Sequence, residues 1–195
     1  MSEPVALHDR AAENLRYIRE TMERAGSFTA VPGWGGVLMG VSAVVAAWVA
    51  STARATVHGW LRVWLIELVV ALVLGGAGLR YKARRNQVSL LSGSARKFAL
   101  SMLPALLVGG LLTIAFVRWG VAYSLPAIWM LLYGAGIAAA GTFSVRIVPL
   151  TGGLFMAAGA ATLFLPAAYG DAAMAVAFGG FHMVFGWLIA RRYGG

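Results

Sequence analysis

Glu67 and His182 are the residues whose type and setting point most directly to chemistry. Glu67 lies in WLIELVVALV, the only acid inside any long apolar run as the runs are drawn below. A carboxylate surrounded by hydrocarbon is costly and by default marks a functional site, here one that handles a proton or a cation. Its structural alternative is an ion pair with Arg62, Arg118 or Arg54, or a hydrogen bond to a serine or tyrosine. His182 sits in FGGFHMVFGWLIARR, with Gly179 and Gly180 before it and Gly186 after it. Those glycines leave room beside the ring for a ligand or for another helix. A lone intramembrane histidine more often serves as an interhelical hydrogen-bonder. Glu67 and His182 fall at similar depth and are candidates to meet.

Signatures of catalysis do not accompany them. The sequence contains no HExxH and no second acid within a run, so no metal site is expected. It has no GxSxG elbow and no phosphate-binding loop. Gly75-Gly76-Ala77-Gly78 closes an apolar helix rather than following a strand, so it makes no phosphate cradle. Pairing His58 with His182 around a haem is unattractive, because His58 lies at an edge. No cofactor is expected, and enzymatic activity is not favoured. With no cysteine in the chain, disulfides and thiolate metal sites are excluded.

The elements that position Glu67 and His182 follow from composition. Of the 195 residues 60% are hydrophobic and 12% charged, with mean hydropathy +0.78. A soluble domain is about 45–50% apolar and about 25% charged, so the solvent for this surplus must be lipid. Six runs approach the ~20 residues needed to cross a bilayer: Trp34–Thr52, Trp60–Leu79, Phe98–Val117, Tyr123–Phe143, Ile147–Leu165 and Ala172–Ala190. Arg146 and Pro149 argue for a break between the fourth and fifth. The expected fold is therefore an all-α polytopic bundle of six transmembrane helices at 31–195, with three hairpins as the preferred arrangement. A basic cytoplasmic loop at 80–97 interrupts it.

Residues 1–30 read differently. Leu7, Ala11, Leu15, Ile18, Met22 and Ala25 recur at helical spacing among charged neighbours, and Ser2 is a suitable N-terminal cap. This is an amphipathic cytoplasmic or interfacial helix. It holds five acids and no apolar core, unlike a signal peptide.

The net charge of +9 places cations beside apolar runs, where topology and anionic lipid explain them better than nucleic acid. With the N-terminus inside, thirteen Lys and Arg fall on the cytoplasmic side and three, Arg54, Arg62 and Arg118, on the other. The expected location is the bacterial inner membrane, multi-pass, with both termini cytoplasmic. Arg80, Lys82, Arg84 and Arg85 are candidates for binding anionic headgroups or a partner. Trp34, Trp48, Trp60, Trp119 and Trp187 fall toward helix ends, at headgroup level.

A repeated stretch adds a packing signal. VPGWGGVLMGVSA at Val31–Ala43 is echoed by VPLTGGLFMAAGA at Val148–Ala160, 117 residues later. Gly35, Gly36 and Gly40 in the first copy, and Gly152 and Gly153 in the second, suit close helix packing. Gly36-x-x-x-Gly40 is the stretch to examine for contact between copies in a homo-oligomer. Two functions remain from these readings. One is a membrane-embedded subunit, scaffold or regulator with a protein partner. The other is a small transporter or channel using Glu67 and His182.

Overall fold

The computed structural model describes residues 10, 12–18, 22, 28, 31–52, 56–85, 87 and 93–193. Those residues are almost entirely helical, and a single isolated bridge, Phe28 to Ser144, is the only extended pairing among them. From Gly33 onward six helices follow one another among the described residues: α1 (Gly33–Thr52), α2 (Val57–Arg85), α3 (Gly93–Arg118), α4 (Leu125–Gly141), α5 (Ile147–Thr162) and α6 (Ala167–Tyr193). Five are apolar and long enough to cross a membrane, α4 when taken with the turn Ala122–Ser124 that leads into it. The exception is α5, whose 16 residues span about 24 Å. It tightens into turns at Leu163–Leu165 because Pro166 follows, and the residue before a proline avoids the helical region.

Local sequence sets the helix ends. Pro126 occupies the first turn of α4, where its missing N–H costs nothing. At the end of α3, Gly120 takes φ +74°, its N–H bonds Val117 O, and the next N–H bonds Phe116 O at 2.9 Å. This left-handed closure favours glycine and satisfies carbonyls the helix leaves open. Between α2 and α3 the helices run further than the apolar pattern implies, to Arg85 and from Gly93, so residues 80–85 and 93–97 of the expected 80–97 loop are helical.

The helices alternate in direction. One end of the bundle gathers Val31, Phe98, Val145, Ile147, Val148 and Ile189; the other gathers Ala50, Trp60, Ala122, Leu125 and Met174. The arrangement differs from three sequential hairpins. While α1 pairs with α2 and α3 with α4, α5 packs mainly on α4, and α6 packs mainly on α1. Small residues cause this. An added Cβ on Gly33 would meet the Ala190 backbone at 2.5 Å, and one on Gly40 would meet Gly179 O at the same distance. In the second half, one on Gly152 would meet the Ala138 N at 2.5 Å, and one on Gly159 the Leu131 N at 2.8 Å. Backbones this close are available only where side chains are absent.

Within their apolar windows α2 and α3 bury 11% and 6% of residues, against 44% for α1 and for the segment that contains α4. Most residues in those two windows are left uncovered by the rest of the described chain. Trp34, Trp48, Trp119 and Trp187 are exposed near helix ends, whereas Trp60 is turned into the core.

Before α1, residues 12–18 are helical and exposed. Leu15, Tyr17, Ile18 and Met22 are exposed. Ser2, Leu7, Ala11, Ala25 and Arg54 lie outside the described residues.

Candidate functional site

Three groups of polar side chains are buried between the helices. The first surrounds Glu67, which α2 directs toward α1. Trp60, Trp64 and Glu67 recur at helical spacing and form the buried stripe of α2. Ser42 Oγ lies 2.8 Å from Glu67 Oε1 and 2.9 Å from Met39 O. A hydroxyl has one proton to donate. That proton is shared between Glu67 Oε1 and the Met39 carbonyl, both of which accept from Ser42. Arg62 and Arg118 are exposed, and neither pairs with Glu67 among the described residues. Instead Arg62 lies with His58, Leu61, Leu65, Ile66, Val69 and Val70 along a shallow groove of about 580 Å³ on the face of α2 away from Glu67.

The second group centres on Asp171, which is 4% exposed. The indole N–H of Trp60 donates to Asp171 Oδ1 at 2.7 Å, and that of Trp64 donates to the same oxygen at 3.3 Å. An indole nitrogen only donates and a carboxylate accepts, so the chemistry matches. The sequence reading missed Asp171 because it began the last run at Ala172. Carrying that run back to Pro166 would have included it. The pair Trp60 and Trp64, one turn apart on the buried stripe of α2, was the other available signal.

The third group contains His182. Nδ1 donates to Phe178 O at 2.8 Å, since a carbonyl can only accept. That contact assigns the tautomer, leaving Nε2 to accept from the Tyr133 hydroxyl at 2.7 Å. The ring stacks on Phe178 and meets Phe155 and Tyr133 edge-on or tilted. Just before it, Ala175–Phe181 is wound as a π-helix, a form that occurs mostly as short stretches and often at functional sites. The wide turn brings Gly179 against Val44 of α1.

Glu67 and His182 are thus not joined. Glu67 is bonded across the α1–α2 interface and His182 across the α4–α6 interface. What connects the interior is aromatic packing. Trp129 stacks on Trp60 at 5.3 Å between centroids, Trp60 neighbours Trp64, Trp64 neighbours Phe178, and Phe178 lies against Tyr133 and Phe155. Trp129 also donates to Thr113 of α3 at 2.8 Å. Among the described residues no buried side-chain nitrogen or oxygen lacks a partner, and no three His, Asp or Glu are grouped as for a metal ion.

The glycine and basic candidates divide as well. Gly36 and Gly40 face α6 of the same chain, next to Gly186 and Gly179, which takes that stripe out of reach of a second copy. Gly35 faces Gly78 of α2, and Gly152 faces Gly134 and Ala138 of α4, while Gly153 has open space above it. Arg80, Arg84 and Arg85 are exposed. Lys82 departs from them: it is 1% exposed and donates to Val31 O at 3.1 Å, so its ammonium joins α2 to the start of α1 and is not offered to a ligand.

Fold and interior together define an all-helical chain with five helices of membrane-crossing length around a close-packed aromatic centre. Comparison with known protein families, curated proteins and solved structures finds no match to this chain.

Proposed function

We propose that this chain is a membrane-embedded subunit, scaffold or regulator, crossing the bacterial inner membrane six times with both termini in the cytoplasm. The observation that carries this reading is the closed interior. Glu67, Asp171 and His182 each hydrogen-bond to side chains of another helix, and aromatic rings fill the space between the helices. Coupled transport draws on several polar groups lining a shared path. Here the polar groups hold helices together. The outer faces of α2 and α3, little buried by the chain itself, are the surfaces left for a partner within the bilayer.

Orientation is supported by charge. Nine cations, Arg80, Lys82, Arg84, Arg85, Arg96, Lys97, Arg146, Arg191 and Arg192, gather at one end of the helices, with Arg62 and Arg118 toward the other. Basic residues favour the cytoplasmic side. The crossing by α5 is completed by the apolar turn Leu163–Leu165.

Purification from native membranes in mild detergent, with mass spectrometry of what accompanies the chain, tests the proposal. A protein present in stoichiometric amount is the expected result. A chain that arrives alone or with one small ligand overturns it and moves the assignment to transport or ligand sensing through Glu67 and His182.

A further inference from the structure

One face of α2 joins a groove to a cation that no acid answers. Arg62 is exposed at the end of the bundle opposite the nine clustered cations. The bias that gathers basic residues at one end of a membrane bundle accounts for the nine and not for this one. Of the two buried acids, Glu67 is held by Ser42 on the other side of α2, and Asp171 accepts from Trp60 and Trp64. Arg62 thus has no acid partner among the described residues.

The groove continues from that cation. His58 lies one turn before Arg62, and Leu65, Ile66, Val69 and Val70 carry the same face onward. The slot of about 580 Å³ therefore has a polar head and an apolar floor. From His58 to Val70 the helix rises about 18 Å. One leaflet has that depth, about half of the ~30 Å hydrocarbon core together with the edge of the headgroups. The arginine stem can lie on apolar surface while its guanidinium stays at headgroup level.

The residue types select the occupant. Where helices of this chain meet, they do so through small residues such as Gly33, Gly40, Gly152 and Gly159. The groove face has no Gly, Ala, Ser or Thr, so a partner helix cannot bring its backbone close. An acyl chain needs no such approach. A guanidinium matches a phosphate with two parallel hydrogen bonds. A zwitterionic headgroup brings its own ammonium beside Arg62, whereas a headgroup of net negative charge does not.

We propose that this face of α2 holds one anionic glycerophospholipid, its phosphate on Arg62 and His58 and an acyl chain along Leu65, Ile66 and Val69. The assignment does not rest on the scaffold reading. It takes one face of α2 from the surfaces open to a protein partner and leaves α3.

The full-length chain is reconstituted in phosphatidylcholine vesicles that carry a small amount of phosphatidylglycerol with a photoactivatable acyl chain, and the labelled positions are mapped by mass spectrometry. The expected result is label concentrated at 58–70, above that on the similarly exposed Leu107, Leu111 and Ile114 of α3. Arg62→Gln should lower the label at 58–70 about fivefold, the loss expected for one cation near an anionic headgroup. Arg118→Gln removes the exposed cation at the end of α3 and should leave that label unchanged. Unaltered label on α3 in each variant establishes that the bundle is intact. Even label over α2 and α3, or equal loss from Arg62→Gln and Arg118→Gln, overturns the proposal. Equal label from phosphatidylcholine bearing the same photoactivatable chain overturns the choice of an anionic lipid. Competition by soluble glycerophosphate would reduce the site to a headgroup pocket, and absence of label at 58–70 would place a second copy over the face; either result also refutes it.

Discussion

Replacing Gly40 with alanine tests whether close backbone approach builds the bundle. The added Cβ would stand 2.5 Å from Gly179 O, 2.6 Å from Met183 Cγ and 2.8 Å from Met183 N. The methionine side chain can move, but the two backbone atoms belong to α6 and move only if that helix does. Forcing an extra carbon into a packed interior costs about 1–3 kcal/mol, and contact with backbone places this case at the upper end, about 3 kcal/mol. Against it stands the gain of about 1 kcal/mol from replacing a mid-helix glycine by alanine. The net loss is about 2 kcal/mol, which lowers Tm by about 4–8 °C for a chain of this length. Gly153→Ala is the control, because nothing lies within 4 Å of its added Cβ. There only the helix gain remains, and Tm rises by about 2–4 °C. Apparent midpoints are read from tryptophan fluorescence in mild detergent at one heating rate, which handles irreversible unfolding. The two shifts should have opposite signs. A Gly40→Ala chain as stable as the parent, or two shifts of the same sign, refutes the reasoning.

Other substitutions follow from the buried polar groups. Trp60→Phe removes the 2.7 Å bond to Asp171 and Trp64→Phe the 3.3 Å bond, so the first should lower stability more, by about 1–3 kcal/mol. The reverse order would show that the indole bonds do not set stability there. Glu67→Gln keeps a side-chain oxygen that accepts from Ser42 and should leave the midpoint close to that of the parent. Glu67→Lys puts an unpaired cation between α1 and α2 and should lower it most, because a buried charge without a partner is among the costliest changes.

Much of this architecture was legible because its causes are local. Apolar runs of bilayer length and the break at Arg146 and Pro149 are written in adjacent residues. The burial of Glu67 was legible too, since an acid in an apolar run must turn inward or pair. Its partner was not. Ser42 meets Glu67 only because α1 and α2 adopt one register, which depends on Gly35 packing on Gly78 and Met39 filling the space beside Gly75. Asp171 was missed because the boundary of an apolar run is softer than its centre. The echoed VPxxGG stretch shows the limit of motif reading: the same glycine spacing meets α2 and α6 in the first copy and α4 in the second. Which helix a small-residue stripe faces is decided by the whole bundle. Lys82 teaches the same lesson for charge, since one member of a basic cluster turned inward to serve a backbone carbonyl.

The closed interior is tested most directly by thiol accessibility in a chain that has no cysteine of its own. Ser42→Cys places a thiol beside Glu67, and Ala177→Cys places one in the buried centre near Phe178 and His182. Arg85→Cys, at the exposed end of α2, serves as the reactive reference. Each is exposed in sealed vesicles of either orientation to a membrane-impermeant thiol reagent. A close-packed scaffold predicts that the reference reacts from one side while Ser42→Cys and Ala177→Cys react from neither. Reaction of either interior thiol from a water-filled side would reveal an aqueous path past Glu67 or His182 and contradict the scaffold assignment.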